Sequence, residues 1–183
     1  TKRSRMRHGK TDWNARHLLQ GHTDIPLNEE GRKMAEDARE KYRDLHFDLC
    51  YCSPLSRARE TAELFLKGRD TPITVDNRLE EINFGSYEGI EHAMDDPKYP
   101  VYTLFHHPEQ YVADNGAESL DELSARSGSF LDEVIKPVLA SGKDVLIVAH
   151  GGVNCSIIAR YEQTPLAHFW DNLQANCALK RLE

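Results

Sequence analysis

The segment from Asp144 to Ala149 reads Val-Leu-Ile-Val-Ala after its aspartate, without polar alternation, and runs straight into His150-Gly151-Gly152. An apolar run of that length suits a strand buried on both faces, which demands helices on either side of a largely parallel sheet. Further strand candidates are Phe47 to Cys52, Ile73-Thr74-Val75 and, as a final edge strand, Ala178 to Leu182. The segment before Arg7 is a strand by position, but Lys2, Arg3, Ser4 and Arg5 predict a poor one.

Helical patterns lie between these strands. Asn28 is the expected N-cap of a helix carrying Met34, Ala35, Ala38 and Tyr42 on one face. Ser53-Pro54 reads as N-cap and first helical position of a second helix, ahead of Ala58, Thr61, Ala62 and Phe65. Ser119 and Glu122 predict a capping box heading a long helix that stops near Pro137 to Gly142, and Gly152 to Tyr161 reads as the last helix. The pattern weakens between Ser86 and Ala117. The expected fold is α/β: a three-layer α/β/α sandwich with a mostly parallel central sheet. A short irregular insertion at about 86–118 covers the site, all within a single domain of residues 1–183.

Chemistry concentrates where strands end. Arg7-His8-Gly9, Ser53 to Ala58 and His150-Gly151-Gly152 each follow a strand candidate, and open α/β sheets bind ligands at that rim. Two guanidinium forks and two imidazoles beside close-approaching glycine backbone suit a phosphate dianion. A helix starting at Ser53 would add its positive end. The segment Leu79 to Gly89 brings carboxylates in a glycine-punctuated loop, which fit an acid or base for a leaving alcohol rather than an anion contact.

These residues resemble the histidine phosphatase superfamily, also called phosphoglycerate mutase-like. The resemblance rests on five blocks in order: Arg7-His8-Gly9-x-Thr11 with Asn14 and Gln20 to Leu27; Ser53 to Ala62; Leu79 to Gly89; Gly116 to Leu120; and Val148 to Gly152. It implies that His8 accepts the phosphoryl group while Arg7, Arg57 and His150 hold it. It further implies that Asn14 contacts a phosphate oxygen, that Glu81 is the proton donor, and that Gln20, Gly21, Thr23 and Gly151 line the substrate side. His8 must attack as neutral imidazole, so its other ring nitrogen needs an acceptor such as a backbone carbonyl. Glu81 must hold a proton before attack, which calls for partial burial or the phosphate's own charge. A bell-shaped pH profile is then expected. Fixed protein cations make a metal or other cofactor unnecessary.

Of the two reactions that the resemblance allows, hydrolysis is favoured over phosphoglycerate mutation. Ile90 to Glu118 contains Lys98 as its one lysine or arginine, leaving little to grip a substrate carboxylate. A catalytically silent phospholigand-binding domain is the third reading. Glu80 and Glu88 compete with Glu81 for the acid role, and Glu118 caps the Ser119 helix or reaches the site. His17, His46, His92 and His168 read as structural or exposed, Arg59 and Arg78 as solvated, and His92 with His106-His107 as too incomplete for a metal site. Tyr87, Tyr99, Tyr102, Phe105 and Tyr111 either line a leaving-group pocket or pack the insertion.

With 30 acidic against 23 basic side chains and a net charge of -7, no basic face invites nucleic acid or an anionic membrane. The expected partner is a small phosphorylated substrate, with a homodimer left open. Cys50, Cys52, Cys155 and Cys177 read as free thiols in a reducing cytoplasm, and the basic, polar start at Thr1 to Met6 predicts no leader peptide.

Overall fold

The computed structural model describes residues 2–182. Along the chain run β1 (Arg3–Arg7), α1 (Asp12–Ala15), α2 (Glu29–Lys41), β2 (Leu49–Cys52), α3 (Ser56–Phe65) and β3 (Ile73–Val75). After them come α4 (Val101–His106), α5 (Leu120–Phe130), α6 (Lys136–Ala140), β4 (Val145–Ala149), α7 (Gly151–Glu162) and β5 (Leu179–Leu182). Among the described residues, five strands form one sheet in the order β3-β2-β4-β1-β5. Every pairing is parallel except that of β5, which closes the edge antiparallel to β1.

The apolar run occupies the middle of this sheet, and its five residues are fully buried. Val145, Ile147 and Ala149 pack into one core with Leu123, Phe130 and Ile157 of α5 and α7. Leu146 and Val148 point the other way, to Met6, Ala35, Ala38 and Phe65 against α2 and α3. One strand without alternation thus serves two cores, and the three-layer sandwich follows.

β1 departs from expectation. Despite its arginines it forms a five-residue strand laddered to β4 on one side and β5 on the other. Alternation resolves the conflict: Met6 enters the α2–α3 core while Arg3, Arg5 and Arg7 face the α7 side. There the Arg3 guanidinium lies 4.9 Å from the Tyr161 ring centre, and Arg5 is only 4% exposed. Long aliphatic stems let these side chains cover apolar surface.

The start of α3 is also corrected. The helix begins at Ser56 behind Leu55, three residues after the expected cap at Ser53. The Ser53 hydroxyl accepts the Leu55 N–H and bonds the ring of His150, so it is committed to the rim. The first turn of α3 is capped from afar: the Asp24 carboxylate accepts both the Ser56 N–H and its hydroxyl. Asn28 caps α2 as expected, accepting the Gly31 N–H. Ser119 caps α5, accepting the Glu122 N–H and donating to the Glu122 carboxylate. Between α5 and α6 the helix widens to a π turn over Leu131–Ile135, just ahead of Pro137, which has no N–H to give.

The insertion carries α4 as well as irregular turns. The Trp170 indole N–H donates to the Leu104 carbonyl at 2.7 Å, and the Trp170 ring stacks on Phe105. No helix of the described residues is long and apolar enough to cross a membrane. The four cysteines are buried and unpaired.

Candidate active site

At the carboxyl ends of β1 and β4 lies a cavity of ≈ 300 Å³ lined by Arg7, His8, Asn14, Gln20, Gly21, Arg57, Glu81, Gly151 and Gly152, with an apolar outer part. His8 continues the β1 ladder, its N–H donating to the Ala149 carbonyl at 3.0 Å. The carbonyl of His8 accepts from the Asn176 side chain at 3.0 Å. His8 is 3% exposed, and its ring Nδ1 lies 2.6 Å from the Gly9 carbonyl oxygen. A carbonyl only accepts, so Nδ1 carries the proton and Nε2 is left with a free lone pair. The acceptor required for the neutral tautomer is therefore the next residue's own backbone.

His150 sits beside it, ring centres 5.1 Å apart, with Nε2 2.8 Å from the Ser53 hydroxyl. Burial first, then the positive charges of Arg57 and Arg7, holds His8 well below the ordinary histidine value, against the pull of the Gly9 carbonyl. Burial and then Arg57 do the same to His150. Both imidazoles are thus neutral at pH 7. Unfolded histidine takes up its proton near pH 6.5, whereas the folded state refuses it, so the unfolded state binds more protons below that pH. Stability is accordingly expected to fall as pH drops from 6.5 towards 5, with a slope approaching about 1.4 kcal/mol per pH unit for each histidine. Urea unfolding across that window checks this, and a flat dependence contradicts it.

Arg57, in the first turn of α3, is 1% exposed and clamps the loop behind it. Its Nη1 donates to the Thr23 carbonyl and its Nη2 to the Gly21 carbonyl, at 2.7 and 2.6 Å. Burial pulls its pKa down to about 10, partly offset by Glu81, Asp24 and Glu88, so the fork stays charged at neutral pH. Arg7 is anchored through Nη1 to the backbone carbonyl of Gln174 at 2.9 Å. Among the described residues, the Nε atoms of Arg7 and Arg57 are buried without a protein partner, as is Nδ1 of His150. Buried donors that the fold leaves unpaired on two cavity-lining arginines match an anion.

Glu81 bounds the cavity from the other side. Its carboxylate accepts the N–H groups of Ile82, Gly152 and Val153, each at 2.9 Å, and so rests on the first turn of α7. Gly152 permits that approach: a Cβ there would lie 2.6 Å from Glu81 Oε1. The Arg126 guanidinium holds the loop under Glu81, donating to the carbonyls of Arg78, Glu80 and Glu81 and pairing with Glu118. Glu118 in turn accepts the Asn83 N–H at 3.0 Å.

The other expected residues divide. Asn14 and Gln20 line the cavity, each with its carbonyl oxygen taken by Thr11. Gly21 turns at φ +57° where a Cβ would collide with Glu88. Thr23 does not line the cavity. Its N–H and hydroxyl are both spent on Glu88, at 2.9 and 2.5 Å, and only its carbonyl serves the site, through Arg57. Glu88 also accepts the backbone N–H groups of His22 and Phe84, so it holds the loop instead of facing the cavity. Glu80 faces His22 instead of the cavity.

Arg59 is exposed beside Glu63, as expected. Arg78 is not simply solvated: it bridges Asp76, Ser129 and Glu133. Of the aromatic set Phe105 lines the cavity, while the Tyr87 hydroxyl donates to Asp114 and that of Tyr111 to the Glu118 carbonyl. His17 lines the cavity mouth with its ring stacked on His92 at 5.0 Å, a place its default structural reading did not anticipate.

Ser53, Arg126, Gln174 and Asn176 escaped the sequence reading as site-building residues. Only Ser53, inside a recognised block, carried a signal.

Compared with known proteins, residues 6–183 match the histidine phosphatase superfamily (branch 1). A 2,3-bisphosphoglycerate-dependent phosphoglycerate mutase of Cytophaga hutchinsonii is 36% identical over 149 residues, 80% of this chain and 70% of that protein. A Bacillus subtilis protein described as an uncharacterized phosphatase, PhoE, is 36% identical over 148 residues, 80% of this chain and 69% of its own. The solved structure of Bacillus stearothermophilus YhfR superposes with a TM-score of 0.88 at 31% identity, covering 100% of this chain and 90% of that one.

Proposed function

This chain belongs to the histidine phosphatase superfamily, branch 1, and from that premise we propose that it is a metal-independent phosphomonoesterase working through phosphorylated His8. Relatives in the family include both phosphatases and phosphoglycerate mutases. The observation that carries the reading is the Nδ1–Gly9 bond of a neutral, buried His8 on a cavity shared with Arg7 and Arg57.

His8 Nε2 attacks phosphorus, the N–P bond forms, and the bond to the leaving oxygen breaks. Arg7, Arg57 and His150, with the Asn14 amide, hold the transferring group, whose transition state spreads charge over its equatorial oxygens. Gln20, Gly21 and Gly151 bound the substrate. Glu81 gives its proton to the departing alcohol. The N–H groups of Gly152 and Val153 then stabilise the carboxylate left behind, which draws a proton from the water that splits the phosphohistidine. Fixed side-chain cations supply the charge stabilisation that a metal would give.

Hydrolysis is favoured over mutation because Arg7 and Arg57 are the only lysines or arginines lining the cavity among the described residues, and the phosphoryl group uses both. A small phosphorylated metabolite is the proposed partner.

The test is steady-state hydrolysis of an aryl phosphate in excess chelator. Wild type is expected to turn over, and His8→Ala to fall by at least about 10⁴-fold, as nucleophile removal does elsewhere. Activity surviving in His8→Ala contradicts the mechanism. Isomerisation outpacing phosphate release, with dependence on a bisphosphate primer, would transfer the reading to a mutase.

A further inference from the structure

The outer part of the cavity differs in character from its phosphate end. Trp13, Leu18, Met94, Phe105, Trp170 and Leu173 form most of it. Its indole donor and amide acceptors are committed: the Trp170 N–H is turned away onto the Leu104 carbonyl, presenting ring carbon, and the carbonyl oxygens of Asn14 and Gln20 are engaged by Thr11. The ring of His17 is stacked on His92. No lysine or arginine beyond Arg7 and Arg57 lines the cavity among the described residues, and the acidic side chain there is that of Glu81.

Each candidate leaving group meets this wall differently. A carboxylate or second phosphate loses its hydration without finding a counter-ion. A polyol buries hydroxyl groups against ring and thioether surface, where few acceptors remain. A flat apolar group loses nothing of that kind and gains from contact with Phe105 and Trp170, whose rings stack with centres 4.9 Å apart. Volume sets the upper bound, because ≈ 300 Å³ lies at the small end of ligand cavities and must hold the phosphate too.

Resting on the phosphomonoesterase reading, we infer that the substrate is the phosphate ester of a compact, uncharged, aromatic or apolar alcohol. The reaction is ester plus water giving that alcohol and inorganic phosphate. The P–O bond to the alcohol breaks and Glu81 returns the proton to the leaving oxygen.

The experiment compares kcat/KM for 2-phenylethyl phosphate, glycerol 1-phosphate and 3-phosphoglycerate, all esters of alkyl alcohols, so that side-chain chemistry and not leaving-group acidity separates them. The phenylethyl ester is expected to lead by about 10²-fold, the scale on which an apolar pocket discriminates. Phe105→Ala is expected to cut that lead about tenfold. Leu173→Lys, at a position 45% exposed on the cavity wall and so tolerant of charge, is expected to raise turnover of 3-phosphoglycerate and lower that of the phenylethyl ester.

Equal or reversed preference with phosphohistidine still formed on His8 overturns this inference alone. Failure to hydrolyse any of the three, with no phosphohistidine, overturns the proposed function and this inference together.

Discussion

Replacing Arg57 by alanine is expected to lower kcat for a phosphomonoester by about 10³-fold, the upper range for losing one fixed donor to a developing anion. The loss has two parts. The guanidinium is a cavity-lining cation whose buried Nε has no protein partner among the described residues, and its Nη1 and Nη2 are the ties that hold the Thr23 and Gly21 carbonyls. Removing it therefore strips charge from the site and frees the loop behind it, at a stability cost of about 3 kcal/mol for the cavity and two unpaired carbonyls. Lysine keeps the charge but cannot fork between two carbonyls and still present a donor, so Arg57→Lys is expected to recover only part of the rate. Single-turnover phosphorylation measured beside urea unfolding separates the parts. A variant that loses stability but keeps its phosphorylation rate removes Arg57 from the chemistry.

The second large effect is expected from Glu81→Gln, and its size should depend on the leaving group. An alkyl alcohol leaves poorly without a proton, so an alkyl phosphate is expected to lose about 10²- to 10⁴-fold in kcat/KM. A dinitrophenyl ester needs no acid, and phosphorylation of His8 by it should be nearly unchanged. Arg126→Ala is expected to show the same pattern more weakly, because its guanidinium holds the Glu80 and Glu81 carbonyls without touching the cavity. A merely structural Arg126 would slow both esters alike, and that result would remove its positioning role.

How far the sequence carried depended on the range of the interactions involved. β4 was legible because its apolar run is explained by burial on both faces alone. The Asn28 and Ser119 caps were legible because their partners lie three residues ahead. β1 was misjudged: its arginines are tolerated by strands on either side and by α7, none of which is near in sequence. Ser53 was misread as a helix cap because its real partner, His150, lies 97 residues away. Thr23 was placed on the substrate side, yet its hydroxyl belongs to Glu88, 65 residues on. Arg126 was invisible because it grips backbone carbonyls, which leave no mark on residue identity. Residue type thus marked most of the predicted residues that come to line one cavity, whereas the scaffolding that aims them left no such mark.

The central claim is that His8 attacks through Nε2, because Nδ1 is bonded to the Gly9 carbonyl. Rapid quench of the wild-type protein with ³²P-labelled aryl phosphate, followed by digestion under alkaline conditions, tests it directly. The expected product is an acid-labile, base-stable label on the peptide containing His8, with phosphorus on Nε2. Label on Nδ1, or on another residue, or none at all while phosphate is released, would contradict the account.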